Sequence, residues 1–178
     1  MHIGLAGMKN RYLGGIDCHA YLEFDGENIE PERLEKAWNV LQYHHPMLRA
    51  CFLDDGTQKI LDKPYCEKIK VHDFSRMSSE EAEAMAVSVR ERLSHRKLKI
   101  EEGEVAGIEL TLFPENKARL HVDMALLVAD VQSSADIIEG IWHLLTEGKT
   151  CRKNQKGGIL LPIWNGRNRK KGRNGKTQ

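Results

Sequence analysis

The sequence predicts an α/β fold in which helices pack on a mixed sheet. Three observations carry that prediction. The hydrophobic period switches between about two and about 3.6 residues along the chain. The resulting order of elements is β-α-β-β-β-α-β-β-α. At 178 residues the chain is one domain, long enough to bury a real core.

The first strand spans His19–Asp25, with Ala20, Leu22 and Phe24 on one face and Tyr21 and Glu23 on the other. A helix follows over Glu30–Tyr43. Pro31 suits its first turn, where a missing N–H costs nothing. Leu34, Ala37, Trp38 and Leu41 fall at i, i+3, i+4 and i+7 and form its apolar face. Pro46 ends it. Met47–Leu53 reads as a buried strand that turns at Asp54-Asp55-Gly56 into Gln58–Leu61. Ser78-x-x-Glu81 is a capping-box signature for a helix over Glu80–Leu93, with a stripe of Ala82, Met85, Ala86, Val89 and Leu93. Ile108, Leu110 and Leu112 alternate with Glu109 and Thr111, the pattern of a half-exposed strand. After a turn at Pro114–Lys117, Leu120, Val122 and Met124 face one way and His121, Asp123 and Ala125 the other. The last helix runs from about Ser134 to Leu145, with Ile137, Ile141, Leu144 and Leu145 inward. No internal repeat is visible.

The formal net charge of +1 hides an uneven distribution. Ten of the 27 Lys and Arg residues, and none of the 26 acidic ones, lie after Gly148. Residues 1–148 therefore carry 17 basic and 26 acidic residues, a net of −9. The four cysteines, Cys18, Cys51, Cys66 and Cys151, form no Cys-x-x-Cys pair and have no His at zinc-ligand spacing, so neither a disulfide scaffold nor a metal site is expected. Cys18 and Cys51 read as small buried hydrophobes. A reducing cytoplasmic compartment is expected. The sequence shows no signal peptide and no apolar run near the ~20 residues of a membrane span. It has no Walker motif, G-x-G-x-x-G, H-E-x-x-H or G-x-S-x-G.

The segment Arg119-Leu-His-Val-Asp-Met-Ala-Leu-Leu-Val-Ala-Asp-Val-Gln-Ser133 reads as a strand, a buried run and a polar corner that opens a helix. It resembles the core motif of the heterocyclization domains of nonribosomal peptide synthetases, a branch of the condensation superfamily. Those domains carry Asp-x4-Asp-x2-Ser where other condensation domains carry His-His-x3-Asp-Gly. Asp130 and Ser133 match, and Ala125 stands at the first Asp position. Further pieces fall in the family's order: Leu13–Asp25, Pro31–Trp38, His45-Pro-Met-Leu-Arg-Ala50, Asp55–Gln58, Val71-His-Asp73 and Arg92-Leu-Ser-His-Arg96. The resemblance covers about Gly4 to Leu145, with the family's opening segment represented at best by Met1–Met8.

The resemblance implies a chloramphenicol acetyltransferase-like sandwich lobe. Residues 1–148 are expected to be the N-terminal lobe, half of a two-lobe domain, and 149–178 a basic tail without assigned structure. A complete domain of this kind joins a carrier-bound acyl or peptidyl group to Cys, Ser or Thr and cyclizes it to a thiazoline or oxazoline, often in siderophores. Its implied partners are peptidyl or aryl carrier protein domains and the C-terminal lobe. It binds no cofactor directly, and the 4'-phosphopantetheine sits on the carriers.

The candidate site residues each have a second reading. Asp130, after the apolar run Leu126–Ala129, is a motif carboxylate or an Asp that organises the corner through backbone N–H bonds or an ion pair. Ser133 matches the motif, and Ser133-x-x-Asp136 is also a helix-capping signature. The methyl group of Ala125 moves no proton. Asp123 sits on the same strand face but about 7 Å away. His121 reads as a surface or second-layer residue. His44-His45 has no Asp five residues on and reads as a helix end, where His is favourable. The tail Arg167–Arg173 lacks an aromatic for base stacking, so no nucleic-acid partner is expected. Three readings follow: an enzyme lobe working with a second lobe, an inactive carrier-docking module, or a binding protein with a basic tail.

Overall fold

The computed structural model describes residues 19–53, 55–128 and 131–147. Its elements follow the predicted succession: β1 (His19–Glu27), α1 (Pro31–His44), β2 (Ala50–Phe52), β3 (Gln58–Ile60), β4 (Lys70–Asp73), α2 (Ser79–Ser94), β5 (Ala106–Leu112), β6 (Lys117–Ala125) and α3 (Val131–Glu147). Four strands form a mixed sheet in the order β1-β6-β5-β4. The β1/β6 and β5/β6 pairs are antiparallel and β4/β5 is parallel. Strands β2 and β3 form a separate antiparallel hairpin.

One sheet face carries the main core. Ile108, Leu110, Leu120, Val122 and Met124 pack there with Leu34, Trp38 and Leu41 of α1 and Ile137 and Ile141 of α3. Helices α1 and α3 run antiparallel on this face, since Arg33 near the start of α1 donates to the Leu145 carbonyl near the end of α3 (2.5 Å). Close packing is built into Gly26, where a Cβ would stand 2.8 Å from the Trp142 ring. The other face is covered by α2 through a smaller cluster of Ala82, Ala86, Val89 and Leu93 with Phe74 and Phe113. The predicted capping box at Ser78 and Glu81 is formed.

Helix α1 ends in a cluster of acceptors satisfied by one side chain. Arg49 donates to the carbonyls of Gln42 (3.1 Å), Tyr43 (3.4 Å) and Leu61 (2.5 Å). It therefore satisfies the orphan carbonyls of the last helical turn and ties them to the β2/β3 hairpin.

Several expectations are corrected. Pro46–Arg49 forms a 3-10 turn before β2, with Leu48 N–H donating to His45 C=O, so the strand is shorter than Met47–Leu53. Met85 lies on the flank of its helix and is 45% exposed. Strand β5 is not half-exposed, because α2 roofs its polar face and Thr111 is fully buried. Helix α3 begins at Val131, so Ser133 is its third residue and not its N-cap. The tail beyond Glu147 lies outside the described residues, as does Cys18. Cys51 is buried as expected.

Candidate site at the end of strand β6

Strand β6 alternates core side chains with polar ones, and each polar one is held from another element. Arg119 donates to Asp25 on β1 (2.7 Å) and Glu83 on α2 (2.8 Å). His121, read as a surface or second-layer residue, is fully buried between β1 and β5, which leaves the second of these. Its Nδ1 lies 2.7 Å from the Tyr21 hydroxyl and its Nε2 2.8 Å from Thr111 Oγ1. Tyr21 also reaches Glu23 at 2.7 Å, and Glu23 is bidentate to Arg90 of α2. A carboxylate can only accept, so Tyr21 donates to Glu23. His121 Nδ1–H then donates to Tyr21, and Nε2 accepts from Thr111.

The electrostatics agree with that assignment. Burial pushes the His121 imidazole down to about 4, although the carboxylates of Glu23 and Glu109 pull the other way. Burial raises Glu23, but its bonds from Arg90 and Tyr21 outweigh this and leave it below its ordinary value. Glu109 is likewise held low, burial being outweighed by Arg92 and His72. His121 is thus neutral at pH 7 within a layer of ionised pairs.

Asp123, 2% exposed, is paired with Arg96, which also donates to Glu104 (2.9 Å). A Cβ on Gly107 would stand 2.9 Å from the Arg96 guanidinium and 3.0 Å from Asp123 Oδ1. Glycine there leaves room for the pair to lie over β5.

Ala125 closes the strand. It is 4% exposed and belongs to the main apolar cluster. Its N–H donates to Val105 C=O (2.8 Å) and its C=O accepts from Val128 N–H (3.1 Å). Leu126 and Leu127 of the turn are 51% and 46% exposed. Asp130 and the Ser133 side chain lie outside the described residues.

The antiparallel packing of α1 and α3 brings His44 and His45 to the first turns of α3. The helix-end reading holds, since His45 is the C-cap and its N–H donates to Leu41 C=O. Its position beside Asp136 was not readable in sequence. Burial, then His44, lower the His45 imidazole, with Asp136 opposing. Both Nε2 atoms are buried without a hydrogen-bond partner among the described residues. His45 therefore favours its neutral form. Among the described residues no three His, Cys, Asp or Glu side chains are placed to hold a metal ion, and no helix is long and apolar enough to cross a membrane. A groove of about 530 Å³ lined by Asp25, Glu83, Phe113 and Arg119 lies at the other end of β6. At ~3.3 Å per residue it is about 25 Å from Ala125 and is not part of this site.

Comparison with known proteins points to one family. The condensation domain model matches residues 17–157. The chain is 42% identical over 121 residues to the phenyloxazoline synthase MbtB of Mycobacterium sp. (strain MCS), covering 68% of this chain and 10% of that protein. It is 38% identical over 121 residues to the pyochelin synthetase PchE of Pseudomonas aeruginosa, covering 68% of this chain and 8% of that protein. The chain thus spans about a tenth of these curated relatives. Among solved structures, the monoclinic form of the EpoB NRPS cyclization-docking bidomain from Sorangium cellulosum superposes with a TM-score of 0.72 at 25% identity, over 83% of this chain and 31% of that one.

Proposed function

The chain belongs to the condensation-domain family, and from that premise we propose that it is the N-terminal lobe of a heterocyclization domain in a nonribosomal peptide synthetase. The observation that carries this is the strand–corner–helix segment 119–133, with Asp130 and Ser133 at motif positions, in a chain 42% identical over 121 residues to a phenyloxazoline synthase. The substrates are carrier-bound: an acyl or peptidyl group on one 4'-phosphopantetheine arm, and Cys, Ser or Thr on another. The product is a thiazoline or oxazoline. Peptidyl or aryl carrier protein domains are the partners, and a second lobe supplies the facing wall of the site. Residues 1–148 form the lobe and 149–178 a basic tail.

Asp130 is proposed as the remaining motif carboxylate and Ser133 as a motif residue in the first turn of α3. Neither can position two tethered substrates without the facing lobe, and that positioning is most of what such a site offers. The purified chain alone is therefore expected to form neither amide nor heterocycle. The test mixes it with an aryl-loaded carrier and a cysteine-loaded carrier, with and without a polypeptide supplying the second lobe, and reads products by mass spectrometry. Turnover by the chain alone would overturn the one-lobe reading. Absence of both carrier binding and restored turnover would overturn the family function for this copy.

Ala125 favours one second reading, a carrier-docking module without catalysis. A methyl group replaces the first motif carboxylate inside a packed core. Carrier binding without turnover, even with the second lobe present, supports it. Restoration by Ala125→Asp would assign the loss to that position.

A further inference from the structure

The end of β6 is tied to the segment between α2 and β5 by two independent links. One is main-chain, from Ala125 N–H to Val105 C=O. The other is Arg96, which bridges Asp123 on β6 and Glu104 just before β5. Glu104 is itself fixed, because its second oxygen accepts from the Lys99 N–H (3.1 Å). The bridge spans a near-buried carboxylate, and Gly107 opposite Asp123 leaves space that any larger residue would fill. The guanidinium therefore sits in a closed frame of two carboxylates and a strand backbone. Its planar fork suits that frame better than a lysine would. Two residues beyond Asp123 the chain reaches position 125 and then the corner.

We propose that Arg96 is the positioning residue of the candidate site, clamping the end of β6 that delivers position 125 and the corner after it. The proposal rests on reading residues 125–133 as the functional motif. Arg96 itself touches no substrate in this proposal. It acts through Asp123, a role that its place at the end of the Arg92-Leu-Ser-His-Arg96 piece does not by itself assign.

The test is residue-resolved amide hydrogen exchange on the full 178-residue chain. Replacing Arg96 alone by an apolar residue would strand the Asp123 charge and risk unfolding. The informative variants are the neutral double change Arg96→Gln with Asp123→Asn, the conservative Arg96→Lys, and Glu104→Gln. In the double variant the amides of Ala125 and Val128 should exchange about tenfold faster, while those of Leu41 and Gln42 in α1 stay within about twofold. Arg96→Lys and Glu104→Gln should each give about threefold at the same two amides. Global destabilisation would accelerate both groups equally, and that result overturns the proposal, as does unchanged exchange at Ala125. If circular dichroism shows the double variant unfolded, the two single variants decide. Exchange is read without carriers, so a loosened corner in a chain that binds no carrier would keep the clamp and remove only the functional assignment.

Discussion

The buried imidazole of His121 makes acid sensitivity a quantitative expectation. In the folded chain its pKa is pushed to about 4 from the ordinary 6.5, mainly by burial, with Glu23 and Glu109 opposing and His72 and Arg119 reinforcing. The unfolded chain therefore takes up a proton between pH 6.5 and 4 that the folded chain refuses. The stability from neutral His121 is fully present above 6.5, is lost as pH falls through this window, and stops falling below 4. Lowering a pKa by one corresponds to about 1.4 kcal/mol, so the drop from 6.5 to about 4 is worth on the order of 3 kcal/mol. Between pH 7 and 4.5 the loss integrates to roughly 2 kcal/mol. That is a large share of a typical stability of ~5–15 kcal/mol. Glu23 and Glu109 are held below the ordinary carboxylate value, so their contribution is lost only at still lower pH. The assay is urea unfolding by circular dichroism from pH 4.5 to 7, on the wild-type chain and on His121→Gln. The variant should be less stable at pH 7 by about 1–3 kcal/mol, through broken bonds to Tyr21 and Thr111. Its stability should fall less between pH 7 and 4.5, by roughly the 2 kcal/mol worked above. Parallel slopes, or an imidazole titrating near 6.5 by NMR, would refute the reasoning.

Three further outcomes are expected. Arg49→Ala removes the donor shared by the Gln42, Tyr43 and Leu61 carbonyls and, at longer range, that of Asp62, and should cost about 1.5–3 kcal/mol in urea melts, with Arg49→Lys recovering less than half because it lacks the fork. Ser78→Ala breaks the capping box and should cost about 1 kcal/mol, with faster amide exchange confined to the first turn of α2. Ala125→Asp places a carboxylate in the main core and should destabilise the isolated chain by about 2 kcal/mol at pH 7. Burial raises the pKa of such a carboxyl, so this loss should shrink as pH falls below the folded-state pKa. A variant whose deficit grows with acid would contradict the burial argument.

What the sequence disclosed is what local periodicity encodes. The i, i+3, i+4, i+7 face of α1 and the Ser78 box were readable, because every partner lies within one helix turn or two. The resemblance to the condensation superfamily was readable, and the family model over residues 17–157 agrees with it. The alternation in β5 and β6 gave the strands but misjudged their polar faces. Periodicity separates two faces and does not say what covers each one. A polar face roofed by Arg90 and Arg92 looks, in one dimension, like a face in water. The Arg96–Asp123 pair spans 27 residues and the Tyr21–His121 pair 100, so neither leaves a local signature. The 3-10 turn at Pro46–Arg49 was absorbed into a strand because Met47 and Leu48 are apolar in either geometry.

The two faces of the sheet rest on different physics, and this bears on the site. On the core face, Leu120, Val122 and Met124 are held by contact with many neighbours, so loosening one disturbs the whole domain. On the other face, Arg119, His121 and Asp123 are each held by a few directional bonds from β1, β5, α2 and the segment after α2. Directional bonds fix position more sharply than apolar contact does. Every second residue of β6 is thus pinned as far as Asp123, and at Ala125 the main chain takes over through Val105. Under the proposed function, a site presenting two tethered reactants within about half an ångström would need a fixed origin for its motif, and the polar face is where this chain could supply one. Polar-face substitutions should therefore alter the corner locally before they alter global stability, whereas core-face substitutions should do the reverse.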